Sequence, residues 1–271
     1  MKKASRAEQK VCLSQDARRK GQEALIRHIL IIAHRGAPGD ARENTIRSFE
    51  RAIALGADMI EFDVRRTNDQ VLIAYHDETI QGKPVKELKF ELINRIAGNQ
   101  GFEVPTVEDV LKCTKGKIRL DVELKEGGYE KETVELLFRH FEEDQFVITS
   151  FHDASLRKIK DHCPSIQVGL ILGRSNISLS TRISELFPAK RCGEAKADFM
   201  APHWKLLKLG FLERAEKAHR PLFVWTVNDG KMIRELLREG RVAGIVTDRT
   251  ELAVSLRNKV LTVPSHISLE D

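Results

Sequence analysis

Short runs of β-branched and aliphatic residues recur along the chain from residue 29 onward, separated by stretches whose apolar positions follow a helical period. The runs are Ile29–Ala33, Asp58–Val64, Ile118–Glu123, Phe146–Ser150, Gln167–Leu172, Ala197–Ala201, Leu222–Val227 and Gly244–Thr247. Apolar strands alternating with helices predict a parallel sheet covered on both faces. Eight such units predict an α/β fold, a closed (β/α)8 TIM barrel. One further run, Val71–Tyr75, breaks the alternation, because only the polar turn Asn68–Gln70 separates it from the strand before it. A parallel crossover needs a dozen or more residues, so this pair is a short antiparallel hairpin. Folding back at that turn brings His76 opposite Glu61 and Asp63.

Asn44 or Thr45 can cap the helix after the first strand, with Ile46, Phe49, Ala52 and Ile53 as its apolar stripe and Gly56 as its stop. The connection from His76 to Pro105 carries Gly82, Pro84, Gly98 and Gly101 around a short helical pattern over 86–96, and reads as a small insertion over the barrel mouth after the second barrel strand. Residues 1–28 form a polar N-terminal helix or arm, and 29–271 a single barrel domain ending in a helix and tail from Leu252 to Asp271.

Composition narrows the partners. A length of 271 residues suits one large barrel. The 45 Lys and Arg against 40 Asp and Glu give +5, a mild excess that helps attract an anionic small molecule. Aromatic content is 6%, mostly Phe, and no basic cluster carries interleaved aromatics, which argues against nucleic acid. Cys12, Cys113, Cys163 and Cys192 show neither metal nor disulfide spacing, as expected of reduced thiols in the cytoplasm. The start Met1-Lys2-Lys3 is followed by no apolar core, so no export signal is expected, and the longest apolar stretch, Ile29–Ala33, is too short for stable membrane insertion.

The chemistry begins in Met59-Ile60-Glu61-Phe62-Asp63-Val64, where two carboxylates two apart share one face of an apolar strand. Buried acids side by side repel, and a divalent cation held by both relieves the cost. In Ile118–Lys125, Asp121, Glu123 and Lys125 share a face by the same parity, and Glu123 can complete a three-carboxylate site. Hard oxygen ligands suit Mg²⁺ or Ca²⁺ better than zinc. Lys125 then either meets an anion held at that metal or serves as counter-ion to Glu123. The first strand ends in His34-Arg35-Gly36: an imidazole for proton transfer, a planar donor fork for phosphate, and a residue permitting close backbone approach.

His34-Arg35-Gly36, Glu43-Asn44-Thr45, Ile60–Val64, His76-Asp77, Glu123-Leu124-Lys125, Trp225–Asn228 and Gly244–Asp248 together resemble the glycerophosphodiester phosphodiesterase family of phospholipase C-like barrels, in order and spacing. The resemblance implies that His34 and His76 are the acid/base pair, that Glu61, Asp63 and Glu123 hold the metal, that Arg35 and Lys125 contact phosphate, and that Trp225 faces substrate. Asn44 has a supporting place beside Glu43, which either touches the metal site or hydrogen-bonds its loop. Arg42 stands where the family often has proline, and the insertion lacks an extended substrate-shaping region.

The expected reaction is metal-dependent hydrolysis of glycerophosphodiesters to sn-glycerol 3-phosphate and an alcohol, with His34 as base and His76 as acid and with a bell-shaped pH dependence. The attacking oxygen is either the neighbouring glycerol hydroxyl, through a cyclic phosphate, or a metal-bound water. Two other readings compete: a lysophospholipase D-like activity on lysophospholipids, and a noncatalytic barrel that binds a phosphate ligand. His203-Trp204 sits where it either lines the entrance or packs a loop, and His152 is expected to pack or meet water.

Overall fold

A computed structural model describes residues 29–262, apart from 40, 174–184, 186, 187 and 209. The expected arm at 1–28 and the tail after the last helix lie outside the described residues. Eight parallel strands close into a barrel: β1 (Leu30–His34), β2 (Met59–Arg66), β6 (Arg119–Leu124), β7 (Phe146–Ser150), β8 (Val168–Leu172), β9 (Phe199–Pro202), β10 (Leu222–Val224) and β11 (Val242–Thr247). Closure comes from β1, which pairs with β2 on one side and β11 on the other. The antiparallel partner of β2 is β3 (Leu72–Ala74), and a two-stranded sheet of β4 (Thr79–Ile80) and β5 (Lys83–Pro84) follows.

Two apolar layers fill the molecule. Outward-facing Ile31, Ile60, Phe62, Val122 and Ile148 meet the surrounding helices in one continuous cluster. Phe49 from the helix Ile46–Ala54 meets Phe62 edge-on at 6.0 Å. Inside the barrel, Ile32, Met59, Val147, Ile171, Phe199, Phe223 and Val246 form the plug that barrels of this size require. Gly169 belongs to that plug by omission: a Cβ there would stand 2.2 Å from the Phe199 ring.

Of the two candidate caps Thr45 serves the first helix, exchanging hydrogen bonds with Ser48 in a capping box. Other bounds differ from the sequence expectation. The helix expected over 86–96 runs Phe90–Gly98 and follows a 3-10 turn at Val85–Glu87. Around it Ile80, Val85, Leu88, Ile93 and Ile96 bury against Ile73 and Tyr75 of the hairpin, so the insertion carries its own small core. The strand expected to end at Val64 continues to Arg66, because β3 supplies backbone partners to Val64, Arg65 and Arg66. No described helix is long and apolar enough to cross a membrane.

Candidate active site

Register delivers the acids. In β2 and β6, Glu61 lies beside Asp121 and Asp63 beside Glu123, and His34 of β1 lies beside Glu61. Alternation then sends Glu61, Asp63, Arg65, Asp121 and Glu123 to one face while Phe62, Val64 and Val122 go outward. The hairpin does what its short turn required: Tyr75 N–H donates to the Asp63 carbonyl at 3.0 Å, which sets His76 beside the acids.

Glu61, Asp63 and Glu123 are all buried, and one oxygen from each lies within 4.8 Å of the others. Burial, and then the charges of Asp63 and Glu123, push the Glu61 carboxyl well above its ordinary range. Burial also opposes charge on Asp63, but Lys125, Arg35, His76 and the hydrogen bond from Asn44 outweigh it and hold that carboxyl far down. Glu61 Oε1 is buried without a hydrogen-bond partner. Asp63 Oδ1 lies 3.1 Å from Lys125 Nζ, yet it too lacks a directed hydrogen bond. Repelling acids with buried, unsatisfied oxygens fit a divalent cation.

Each acid is held by a neighbour. Arg35 N–H donates to Glu61 Oε2 at 2.8 Å. Asn44 donates from Nδ2 to Asp63 Oδ2 at 2.7 Å, and its Oδ1 accepts the Asp63 N–H, so the residue displaced from capping clamps an acid. Lys125 Nζ reaches Glu123 Oε1 at 2.6 Å as well as Asp63, and these charges raise the Lys125 pKa against its burial. Arg35 Nε stands 3.2 Å from Asp63 Oδ2, while its Nη1 donates to Glu43 Oε1 at 2.8 Å. Glu43 therefore pairs with the guanidinium fork and stands outside the acid cluster. Gly36 has φ +83°, and a Cβ there would come within 2.8 Å of the Ser48 backbone, so its close approach is to the first helix.

Both histidines carry a carboxylate. His34 Nδ1 is 2.6 Å from Asp248 Oδ1, and its Nε2 is 3.9 Å from Glu61 Oε2. Burial opposes charge on Asp248, but the bonds from His34 and Asn228 keep its carboxyl below the usual range. His76 Nδ1 is 2.8 Å from Asp77 Oδ1. Arg65 Nε donates to the His76 carbonyl at 2.9 Å, with its Nη1 on Glu126.

His34, Arg35, Glu61, His76, Glu123 and Lys125 line a cavity of about 400 Å³ at the carboxyl ends of the barrel strands. Trp225 lines it, fixed by an Nε1–H bond to the Ala201 carbonyl at 2.7 Å and by Phe151 edge-on at 5.7 Å. Among the insertion's described residues, only His76, Asp77 and Glu78 at its start reach the cavity. His203 stacks on Trp204 and meets Trp225 edge-on outside that lining, whereas His152 lines the cavity, with Nε2 on the Lys125 carbonyl. Sequence reasoning gave four residues here no part in the chemistry. Arg65 had a signal, the parity of Glu61 and Asp63 carried one step further, and Asp121 had the same signal without a task. The pairing of Asp248 with His34 spans 214 positions and had none. His152 had only its place at a strand end.

The parallel barrel thus carries at its mouth an acid cluster that could hold a cation, with His34 and His76 on the wall of the same cavity, a setting suited to a hydrolase. The chain belongs to the glycerophosphoryl diester phosphodiesterase family, whose model matches residues 34–252. It is 30% identical over 248 residues to a glycerophosphodiester phosphodiesterase of Caldanaerobacter subterraneus, covering 85% of this chain and 98% of the relative. A Bacillus altitudinis enzyme of the same name is 30% identical over 256 residues, with 85% and 98% covered. The crystal structure of a glycerophosphodiester phosphodiesterase from Parabacteroides distasonis superposes with a TM-score of 0.73 at 27% identity, covering 86% of this chain and 98% of that one. An Oleispira antarctica phosphodiesterase in complex with the product sn-glycerol-3-phosphate shares the fold, with a TM-score of 0.71 at 21% identity over 85% and 97% of the two chains.

Proposed function

We propose that this enzyme cleaves small, deacylated glycerophosphodiesters to sn-glycerol 3-phosphate and an alcohol, with His34 and His76 dividing the proton transfers. The observation that carries the reading is the placement of both imidazoles, each oriented by a carboxylate, around one buried acid cluster in a cavity of small-molecule size. Glu61, Asp63 and Glu123 would hold Mg²⁺ or Ca²⁺. When bound, that ion supplies positive charge to neutralise the phosphate oxygens. Arg35 and Lys125 add donors to the same oxygens, and Trp225 forms an apolar wall against the substrate carbons.

His34 acts as base: Asp248 accepts the hydrogen bond from Nδ1–H, leaving Nε2 free to take the proton of the attacking water, or of the glycerol hydroxyl, whose cyclic phosphate a water then opens. His76 acts as acid toward the leaving alkoxide from the hairpin side of the cavity, steadied by Asp77 and by Arg65 on its carbonyl. The free thiols Cys113, Cys163 and Cys192 support a reducing, cytoplasmic setting.

A coupled glycerol 3-phosphate assay across several glycerophosphodiesters, each with Mg²⁺, Ca²⁺ or chelator, tests the reading. Turnover should require a metal, and His34→Ala and His76→Ala should each lose at least about 10³-fold while remaining folded. Near-normal hydrolysis by both variants would sink the assignment.

A further inference from the structure

Asp121 has no task in the chemistry above. It is buried, lines the cavity and stands outside the three-acid cluster. Across the barrel from it the lining is apolar, with Ile171, Ala201 and Val246. A carboxyl placed there needs hydrogen bonds. Thr149, itself buried and on the cavity wall, donates its hydroxyl to Asp121 Oδ1 at 2.7 Å. That bond engages one carboxylate oxygen and leaves the other to whatever fills the cavity.

Depth suggests the occupant. Asp121 pairs in register with Glu61 and precedes Glu123 by two residues, so it lies about 7 Å deeper along the strand than the end of the acid cluster. A glycerol chain reaches about 5 Å from its ester oxygen to its terminal hydroxyl, at bond lengths of about 1.5 Å. The Arg35 and Lys125 donors both reach Asp63, which pairs with Glu123 about 7 Å above Asp121, so a phosphate held by them would bring that hydroxyl within hydrogen-bond reach of the Asp121–Thr149 pair. We propose that Asp121, set by Thr149, receives the terminal hydroxyl of the glycerol moiety and makes the enzyme specific for diesters in which that hydroxyl is free. The inference rests on the glycerophosphodiesterase reading of the same site. Its consequence is chemical: an acyl chain on the terminal hydroxyl removes the donor and adds bulk against the barrel plug, so 1-acyl lysophospholipids are excluded.

The test compares kcat/KM of the metal-loaded enzyme on glycerophosphocholine and on 2-hydroxypropyl phosphocholine, which keeps the secondary hydroxyl and lacks the terminal one. The wild type should prefer the glycerol diester by about 10²-fold, because a site built for a hydroxyl rejects the analogue without it. Asp121→Ala should cut that preference at least about tenfold. Asp121→Asn, which keeps polar atoms in the same volume, should restore part of the preference. Thr149→Val should weaken it in the same direction and serves if Asp121→Ala does not fold. Equal slowing on both diesters with an unchanged ratio, or no preference in the wild type, overturns the inference and leaves the reaction standing. Failure of the wild type to cleave either diester removes the reading beneath it, and the inference with it.

Discussion

His34 Nδ1 and Asp248 Oδ1 lie 2.6 Å apart, joining the end of β1 to the residue that follows β11. The bond fixes the imidazole tautomer, and Asn228 holds the other Asp248 oxygen at 2.6 Å. Asp248→Asn presents an amide to Nδ1 in place of a charged acceptor, so kcat should fall about 10²-fold. Steady-state kinetics beside metal titration checks this: metal affinity should stay within about threefold, since Asp248 is not in the acid cluster. A kcat within threefold of the wild type would mean that His34 needs no orienting partner.

Lys125 balances Asp63 and Glu123 when no ion is bound. In chelator, Lys125→Met should lose about 3 kcal/mol of stability, because two buried acids then lack their cation. Saturating Mg²⁺ or Ca²⁺ should recover most of the loss. Urea unfolding in both conditions decides it, and an identical loss with and without metal would contradict the proposed ligand set.

At Gly36 the backbone and the packing agree. Its φ of +83° is one that side chains resist, and a Cβ would meet Ser48 Oγ at 2.5 Å. Gly36→Ala should cost about 2 kcal/mol, from strain and displacement of the first helix. An unfolding midpoint equal to the wild type would show that the loop yields freely.

Stability should also fall in acid through Glu130. Burial opposes its charge, but hydrogen bonds from its own N–H, Ser155, Gly128 and Lys158 outweigh that and lower its pKa. A carboxyl depressed on folding stabilises the protein above its ordinary pKa of 4.5, and this is lost as pH falls through the folded value. Glu130→Gln should therefore be less stable than the wild type at neutral pH, with the gap closing as pH falls below the ordinary value. A gap independent of pH would assign the effect to packing.

What the sequence made legible was whatever alternation and short turns dictate. The parity of Glu61 and Asp63 in an apolar run, repeated by Glu123 and Lys125, fixed which side chains face inward, and the few residues between β2 and β3 allowed only a hairpin. Contacts set by barrel closure were invisible, since β1 meets β11 only in three dimensions and Asp248 reaches His34 only there. Competition between neighbours was equally hidden: both Asn44 and Thr45 suit a cap, and the buried Asp63 decides that Asn44 is used elsewhere. Arg65 was lost with the premature end of its strand, because the pairing that extends β2 lies in β3.

Product identity tests the central claim most directly. Glycerophosphocholine should be incubated with the metal-loaded enzyme and the mixture followed by phosphorus NMR, with choline assayed in parallel. The account predicts glycerol 3-phosphate and choline in equal amounts, abolished by chelator and by either His34→Ala or His76→Ala. Phosphocholine and glycerol as products, or full turnover in chelator, would contradict it.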